Sequence, residues 1–222
     1  MPIRKRLPYK RKRTYRRRRI MRKPQVSRMN RSPVSTSTYV KMKYAGSLVL
    51  NDAVGGIVQS HIFSGNNLND PDVTGVGHQP LGHDQWANFY SKYNVLGSKI
   101  QVKLIGVANV ALVSLYASLS SSSTADVDTS CEQPYSRRML IGVNDNAHTI
   151  GSYRKTHMIW GAAPTEKFDD TYSANMNSSP TRHWYWHIES VHPDKTSTHK
   201  VVGYVNITYY VRLFDRVQLS QS

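Results

Sequence analysis

A chain of 222 residues with a single cysteine and a formal net charge of +16 excludes an internal disulfide framework and any multi-cysteine zinc finger. It has no apolar run near the roughly 18 residues of a membrane span, and nothing apolar follows the charged N-terminus as a signal peptide requires. The sequons at Asn177 and Asn206 are therefore read as coincidence, and maturation is expected in the cytosol or nucleus.

Residues 1–31 hold 15 of the 30 Lys and Arg and none of the 14 Asp and Glu, which leaves residues 32–222 a net of +1. The densest part is "RKRLPYKRKRTYRRRRIMRK": Arg4, Lys5, Arg6, Lys10, Arg11, Lys12, Arg13, Arg16, Arg17, Arg18, Arg19, Arg22 and Lys23. Pro2, Pro8 and Pro24 interrupt it, its like charges repel, and it has no apolar face to bury. Residues 1–38 are therefore expected to form a disordered arm. Eleven of the 15 cations are Arg, whose planar fork grips phosphate oxygens in pairs. Each neutralised phosphate releases condensed counterion, which gives affinity without sequence preference. Tyr9 and Tyr15 can stack on unpaired bases. These cations are the candidate nucleic-acid-binding residues, and the same run reads as a nuclear localisation signal. A membrane-surface helix would interleave Leu, Phe and Trp on one face, which the run lacks.

From residue 39 the texture changes to a body rich in Tyr, Val, Ser and Thr, which favours strands. In "TYVKMKYAGSLVL", Tyr39, Lys41 and Lys43 alternate with Val40, Met42 and Tyr44. "GIVQSHIFS" is a second short strand, bounded by Gly55-Gly56 and Gly65-Asn66-Asn67. "HDQWANFYSKY" sets Trp86, Phe89, Tyr90 and Tyr93 at helical spacing behind Asp84 as N-cap, and predicts one short helix near 84–93. "SKIQVKLIGV" puts Ile100, Val102 and Leu104 opposite Lys99, Gln101 and Lys103, and "VALVSLYASL" follows after a break at Ala108-Asn109. The final strand, "VVGYVNITYYVRLF", gathers Val201, Val205, Ile207, Tyr209, Val211 and Leu213 on one face. Long loops at 64–83, 120–138 and 161–182 are expected to meet partners. Residues 39–222 thus read as one all-β domain, a two-sheet antiparallel sandwich.

Catalytic patterns are missing. There is no G-x-x-x-x-G-K-[ST], and Gly75, Gly77 and Gly82 do not fit G-x-G-x-x-G. Asp169-Asp170 read as solvated loop charges, and Cys131 as a small buried hydrophobe. In "HWYWHIESVH", His183, Tyr185 and His187 face one way on a strand, and Trp184, Trp186 and Ile188 the other. Two such histidines with His192 or His199 could hold zinc, but no thiol or carboxylate accompanies them at ligand spacing. The favoured reading has the tryptophans in the core and the histidines on a partly polar face. No catalytic residue, metal or cofactor is expected.

The segment "HDQWANFYSKYNVLGSKIQVKL" (83–104), behind a run such as "RKRTYRRRRIMRK", resembles the capsid proteins of circoviruses and of circovirus-like viruses with circular, Rep-encoding single-stranded DNA genomes. The order of features, the length and the terminal Tyr-rich strand agree along the whole chain; beyond 83–104 the sequence departs from the animal circovirus capsids. The resemblance implies an eight-stranded jelly roll with strands lettered B to I. It also implies self-assembly of sixty copies into a T=1 icosahedral virion, and packaging of circular single-stranded DNA by the arm. Further implied are import into the host nucleus by its transport machinery and a cell-surface receptor or glycan, with no residues assigned to it. Sixty arms would carry roughly 900 positive charges, enough to neutralise about as many nucleotides. The alternative is a non-viral nucleic-acid-binding protein with a basic tail, of ribosomal type. Such proteins also spread cations over the globular part, against the net of +1 here. An enzyme of phosphodiester chemistry is disfavoured by the missing acidic cluster.

Overall fold

A computed structural model gives the fold of residues 34–218, apart from 76, 144 and 145. The candidate nucleic-acid-binding cations from Arg4 to Lys23, and the expectation of disorder for them, lie outside the described residues. Ser37 and Thr38, assigned to the arm from the sequence, instead open the first strand.

Alternation over sixteen residues makes β1 (Ser37–Asp52) a strand with one wet face: Met42, Tyr44, Leu48 and Leu50 are buried, while Lys41, Lys43 and Ala45 are exposed. The other strands are β2 (Gln59–Ser64), β3 (Tyr90–Ala108), β4 (Ala111–Ser118), β5 (Arg137–Ile141), β6 (His148–Lys155), β7 (Ser173–Asn175), β8 (Tyr185–Val191) and β9 (His199–Arg216). They form two antiparallel sheets in the orders β1-β9-β3-β6 and β2-β8-β4-β5, with β7 added beside β3. Leaving β7 aside and lettering the rest B to I, the sheets read B-I-D-G and C-H-E-F. This is the two-sheet sandwich expected from the strand pattern, in the jelly-roll order that the resemblance implies.

β9 lies between β1 and β3, and pairs with β1 from Ser37↔Phe214 to Asp52↔His199. All six of its expected inward residues, from Val201 to Leu213, are buried. Between the sheets, Trp184 and Trp186 meet edge to face with ring centres 5.1 Å apart. Each indole keeps a polar partner: Trp186 Nε1 donates to Ser98 Oγ at 2.9 Å and Trp184 Nε1 to Thr156 Oγ1 at 3.2 Å. Tyr209 likewise donates to the Ser64 carbonyl at 2.8 Å. Large rings so anchored contribute burial without leaving unpaired polar atoms.

The expected helix near 84–93 is present but shorter. α1 spans His83–Ala87, its N-cap is Gly82 (φ 88°), and Asp84 stands in the first turn without capping it. Phe89 N–H closes on the Trp86 carbonyl at 3.0 Å, and Tyr90 and Tyr93 then belong to β3, 2 % and 0 % exposed. Pairing with β9 begins at Tyr90↔Arg216 and takes these residues into the sheet. Four aromatics across a helix–strand junction thus imitate one helical stripe. The helix is also not single: the loops contain α2 (Val127–Glu132), α3 (Thr156–Ile159) and two 3-10 turns, Pro164–Phe168 and Asp170–Tyr172. The segment after β2 shields the edge of β1, where Leu81 N–H and His78 Nε2 bond the carbonyls of Lys43 (3.3 Å) and Ala45 (3.0 Å).

Candidate functional site

The turns β1–β2, β3–β4, β5–β6 and β8–β9 gather at one end of the sandwich. Gly55 and Gly56 take positive φ (96° and 76°) against the backbone of Lys195 and Thr196. Asn109, with φ 55°, donates its side-chain amide to the Thr198 carbonyl at 2.9 Å. The Asp52 carboxylate holds the first turn, accepting from the N–H groups of Val54 (3.0 Å), Gly55 (2.9 Å) and Ile57 (3.0 Å). Burial alone would raise its pKa, but those three donors and nearby His199 outweigh it and hold the carboxyl below the usual range. The same end exposes apolar side chains: Val54 is 79 % exposed and Ile57 50 %, joined by Val49, Ile105, Val107 and Val143. Apolar residues gathered in this way suit contact with another protein surface.

The histidines of "HWYWHIESVH" do not converge on a metal geometry. His187 is fully buried, stacks on Tyr116 with centres 4.8 Å apart and donates from Nε2 to the Ser120 carbonyl at 2.8 Å. His183 Nδ1 meets the Tyr185 hydroxyl at 3.2 Å, His192 pairs with Asp194 at 2.8 Å, and His199 Nε2 bonds Ser190 Oγ at 2.8 Å. Among the described residues no three His, Cys, Asp or Glu side chains are grouped to hold a metal ion. Desolvation lowers the pKa of His183, His187 and His199.

The face that carries His187, expected to be partly polar, holds a buried carboxylate and hydroxyl network. It is roofed by the 119–132 excursion, so β8 is buried on both sides. The anchor of that roof is Glu189, which the sequence did not single out. Its carboxylate is fully buried and accepts from Tyr116 OH (2.7 Å), Thr124 Oγ1 (2.8 Å), Ser123 Oγ (3.0 Å) and Thr124 N–H (3.1 Å). The arrangement ties the 123–124 stretch of the loop to β8. Asp169 is an exposed N-cap that accepts from Thr171 N–H and Oγ1 at 2.8 Å, and Asp170 beside it is exposed. The Cys131 thiol is half-buried rather than buried, and desolvation raises its pKa. Of the long loops, 163–170 is exposed, whereas Tyr172, Ala174 and Met176 tuck inward beside β7.

No family model matches the chain, and no curated protein matches it. Solved structures do. The cryo-EM structure of Mud crab tombus-like virus superimposes with a TM-score of 0.50 and 11 % identity, over 88 % of this chain and 96 % of that one. The decameric BFDV capsid protein gives 0.44 and 12 %, over 80 % and 99 %. Desmodium yellow mottle tymovirus gives 0.41 and 14 %, over 86 % and 95 %. At such identities the likeness is one of fold.

Proposed function

We propose that this chain is a viral capsid protein whose jelly-roll body self-assembles into a closed shell and whose N-terminal cations collect the nucleic acid inside it. The observation that carries the reading is a division of labour along the chain. A jelly roll of net charge +1, with apolar side chains exposed at one end, follows 31 residues that hold 15 cations and no carboxylate. A near-neutral body lets copies approach one another, while the cations before it attract phosphate. The finer reading is supported by the resemblance of residues 83–104 to circovirus capsids: a T=1 virion of sixty copies, a circular single-stranded DNA genome, and assembly in the host nucleus after import. Arg4 to Lys23 are the residues proposed to bind that genome and to direct import, and the exposed 163–170 loop is offered to a surface receptor or glycan.

The test is sedimentation of the full chain and of a variant lacking residues 1–33, recorded at 260 and 280 nm. The cut spares Val34 and Ser35, which bond Arg216 and Tyr90. The full chain is expected as a fast, narrow boundary with strong 260 nm absorbance, and the shortened chain as a folded protein that retains no nucleic acid. A full chain that stays at monomer or dimer mass across salt and added DNA refutes the shell. Equal nucleic-acid retention by both proteins refutes the role of the cations.

A further inference from the structure

The solvent face of the β1-β9-β3-β6 sheet segregates charge in a way that the near-neutral total hides. Strand register sets four rows across it: Lys41–Tyr210–Gly97–Lys155, Lys43–Thr208–Lys99–Tyr153, Ala45–Asn206–Gln101–Gly151 and Ser47–Tyr204–Lys103–Thr149. No carboxylate stands in any row. None of these lysines has an ion-pair partner among the described residues. The carboxylates at the ends of the long strands are already engaged: Asp52 is buried in its turn, and Asp215 pairs with Lys92 at 3.7 Å.

Lys41 and Lys43 on β1 and Lys99 and Lys103 on β3 form two cationic rails on either side of β9, about 10 Å apart at two strand spacings. Between and beside the rails stand aromatic rings. Tyr204 is 48 % exposed and Tyr153 43 %, and Tyr153 meets Tyr210 edge to face at 5.6 Å. Lys41 Nζ lies 5.6 Å from the centre of the Tyr210 ring. A shallow depression of about 140 Å³ is lined by Gln101, Lys103, Thr149, Tyr204 and Asn206. It supplies amide donors and acceptors, a hydroxyl, a cation and a ring within one patch. Lysines about 7 Å apart along β1 lie inside one Debye length, so they repel one another in the free protein, and a polyanion relieves that repulsion.

We propose that this sheet face is a second nucleic-acid contact, separate from the N-terminal cations. It holds a single-stranded segment flat, with phosphates along the lysine rails and bases against Tyr204, Tyr210 and Tyr153. The proposal rests on the reading that the chain packages nucleic acid. It commits to a single strand because half-exposed rings lie level with the cations, and stacked bases inside a duplex cannot reach them.

The test uses the full chain and an oligothymidylate of about 30 nucleotides. The combined variant Lys41→Gln, Lys43→Gln, Lys99→Gln, Lys103→Gln is compared with the wild type and with the same four positions changed to Arg. Four lost phosphate contacts should reduce the slope of log affinity against log salt by about 2–3, and affinity at physiological salt should fall at least tenfold. The Arg variant should restore both, which separates charge loss from misfolding. Ultraviolet cross-linking followed by peptide mapping should place oligonucleotide on peptides that contain Tyr204 or Tyr210 as well as within residues 1–33. Cross-links confined to 1–33, with an unchanged salt slope, overturn this proposal and leave the N-terminal reading intact. Absence of all binding overturns both. Lysine-reactive cross-links joining Lys43 or Lys99 to a second copy, unaffected by oligonucleotide, overturn it in favour of a contact between copies.

Discussion

Replacing Glu189 by Ala should detach the 119–126 segment from the outer face of β8, and the cost follows from its hydrogen bonds. Four donors converge on this one carboxylate at 2.7–3.1 Å. Tyr116 is 1 % exposed, so its hydroxyl is left without a partner at about 1–3 kcal/mol. Ser123 and Thr124 are half-buried and can turn partly to water, so their loss is smaller. His187 Nδ1, 4.0 Å from Glu189, also loses the carboxylate beside it. Together these give about 3–5 kcal/mol, because hydrogen bonds to a charged acceptor contribute about 1.5–3 kcal/mol each and only the half-buried donors recover part of that from water. For a body of this size that is a fall in Tm of roughly 10 °C.

The assay is thermal unfolding of the unassembled full chain in high salt, with limited proteolysis alongside. Glu189→Ala should melt early and be cut between Ser118 and Asp126 before the sandwich opens. Glu189→Gln keeps the volume and one acceptor oxygen but points an amide at hydroxyl donors, so about half the loss is expected. A Glu189→Ala protein that melts within about 2 °C of the wild type, with an unchanged cleavage pattern, would refute the claim that this carboxylate anchors the roof.

Gly203 lies in β9 where a Cβ would run into the Lys103 carbonyl oxygen and the Leu104 side chain, so Gly203→Ala should cost about 3 kcal/mol by chemical denaturation. Gly75→Ala meets no atom within 4 Å and should cost only the backbone strain of its φ of +75°, about 1 kcal/mol, in the same assay. His187 and His199 are buried, and desolvation lowers both pKa values, so the unfolded chain binds their protons first. Their contribution is complete above the unfolded value near 6.5 and declines as pH falls toward the folded pKa, by up to about 1.4 kcal/mol per pH unit for each. Denaturant midpoints between pH 7 and 5 should therefore fall, and less steeply in His199→Gln. Asp52→Asn replaces one acceptor of the first turn by an amide and should cost about 1–2 kcal/mol, read as earlier proteolysis between residues 53 and 58.

The strands legible in the sequence are those with one wet face. Ile100, Val102 and Leu104 against Lys99, Gln101 and Lys103, and the alternation of β1 and β9, could be read because period two survives wherever only one side is buried. β8 was legible for its tryptophans but not for its other face. The roof over His187 and Glu189 comes from residues more than 60 positions away, as in the bond from Thr124 to Glu189. β5 and β7 are short edge or accessory strands without an alternating stretch long enough to mark them. The helix was overextended because Tyr90 and Tyr93 keep helical spacing while they answer to β9.

The same limit governs the electrostatics. A net of +1 over residues 32–222 counts against cations spread over the whole globular part, as in a ribosomal-type protein, but net charge carries no information about placement. The carboxylates are spent elsewhere: Asp52 and Glu189 inside, Asp126 and Asp128 around Lys195, Asp194 beside His192. What remains in the four rows on the β1-β9-β3-β6 face is lysine, tyrosine and amide among small and hydroxyl residues, with no carboxylate. Lys41 and Lys43 are visible in "KMKY" as two cations on a strand, yet their meaning depends on Lys99 and Lys103 lying two strands away with β9 between them. A neutral sum is therefore compatible with a body that repels nothing across most of its surface and still offers one cationic face to a polyanion. The proposed division of labour then becomes one of reach and position: N-terminal cations gather nucleic acid from a distance, and a rigid sheet fixes where a strand comes to rest.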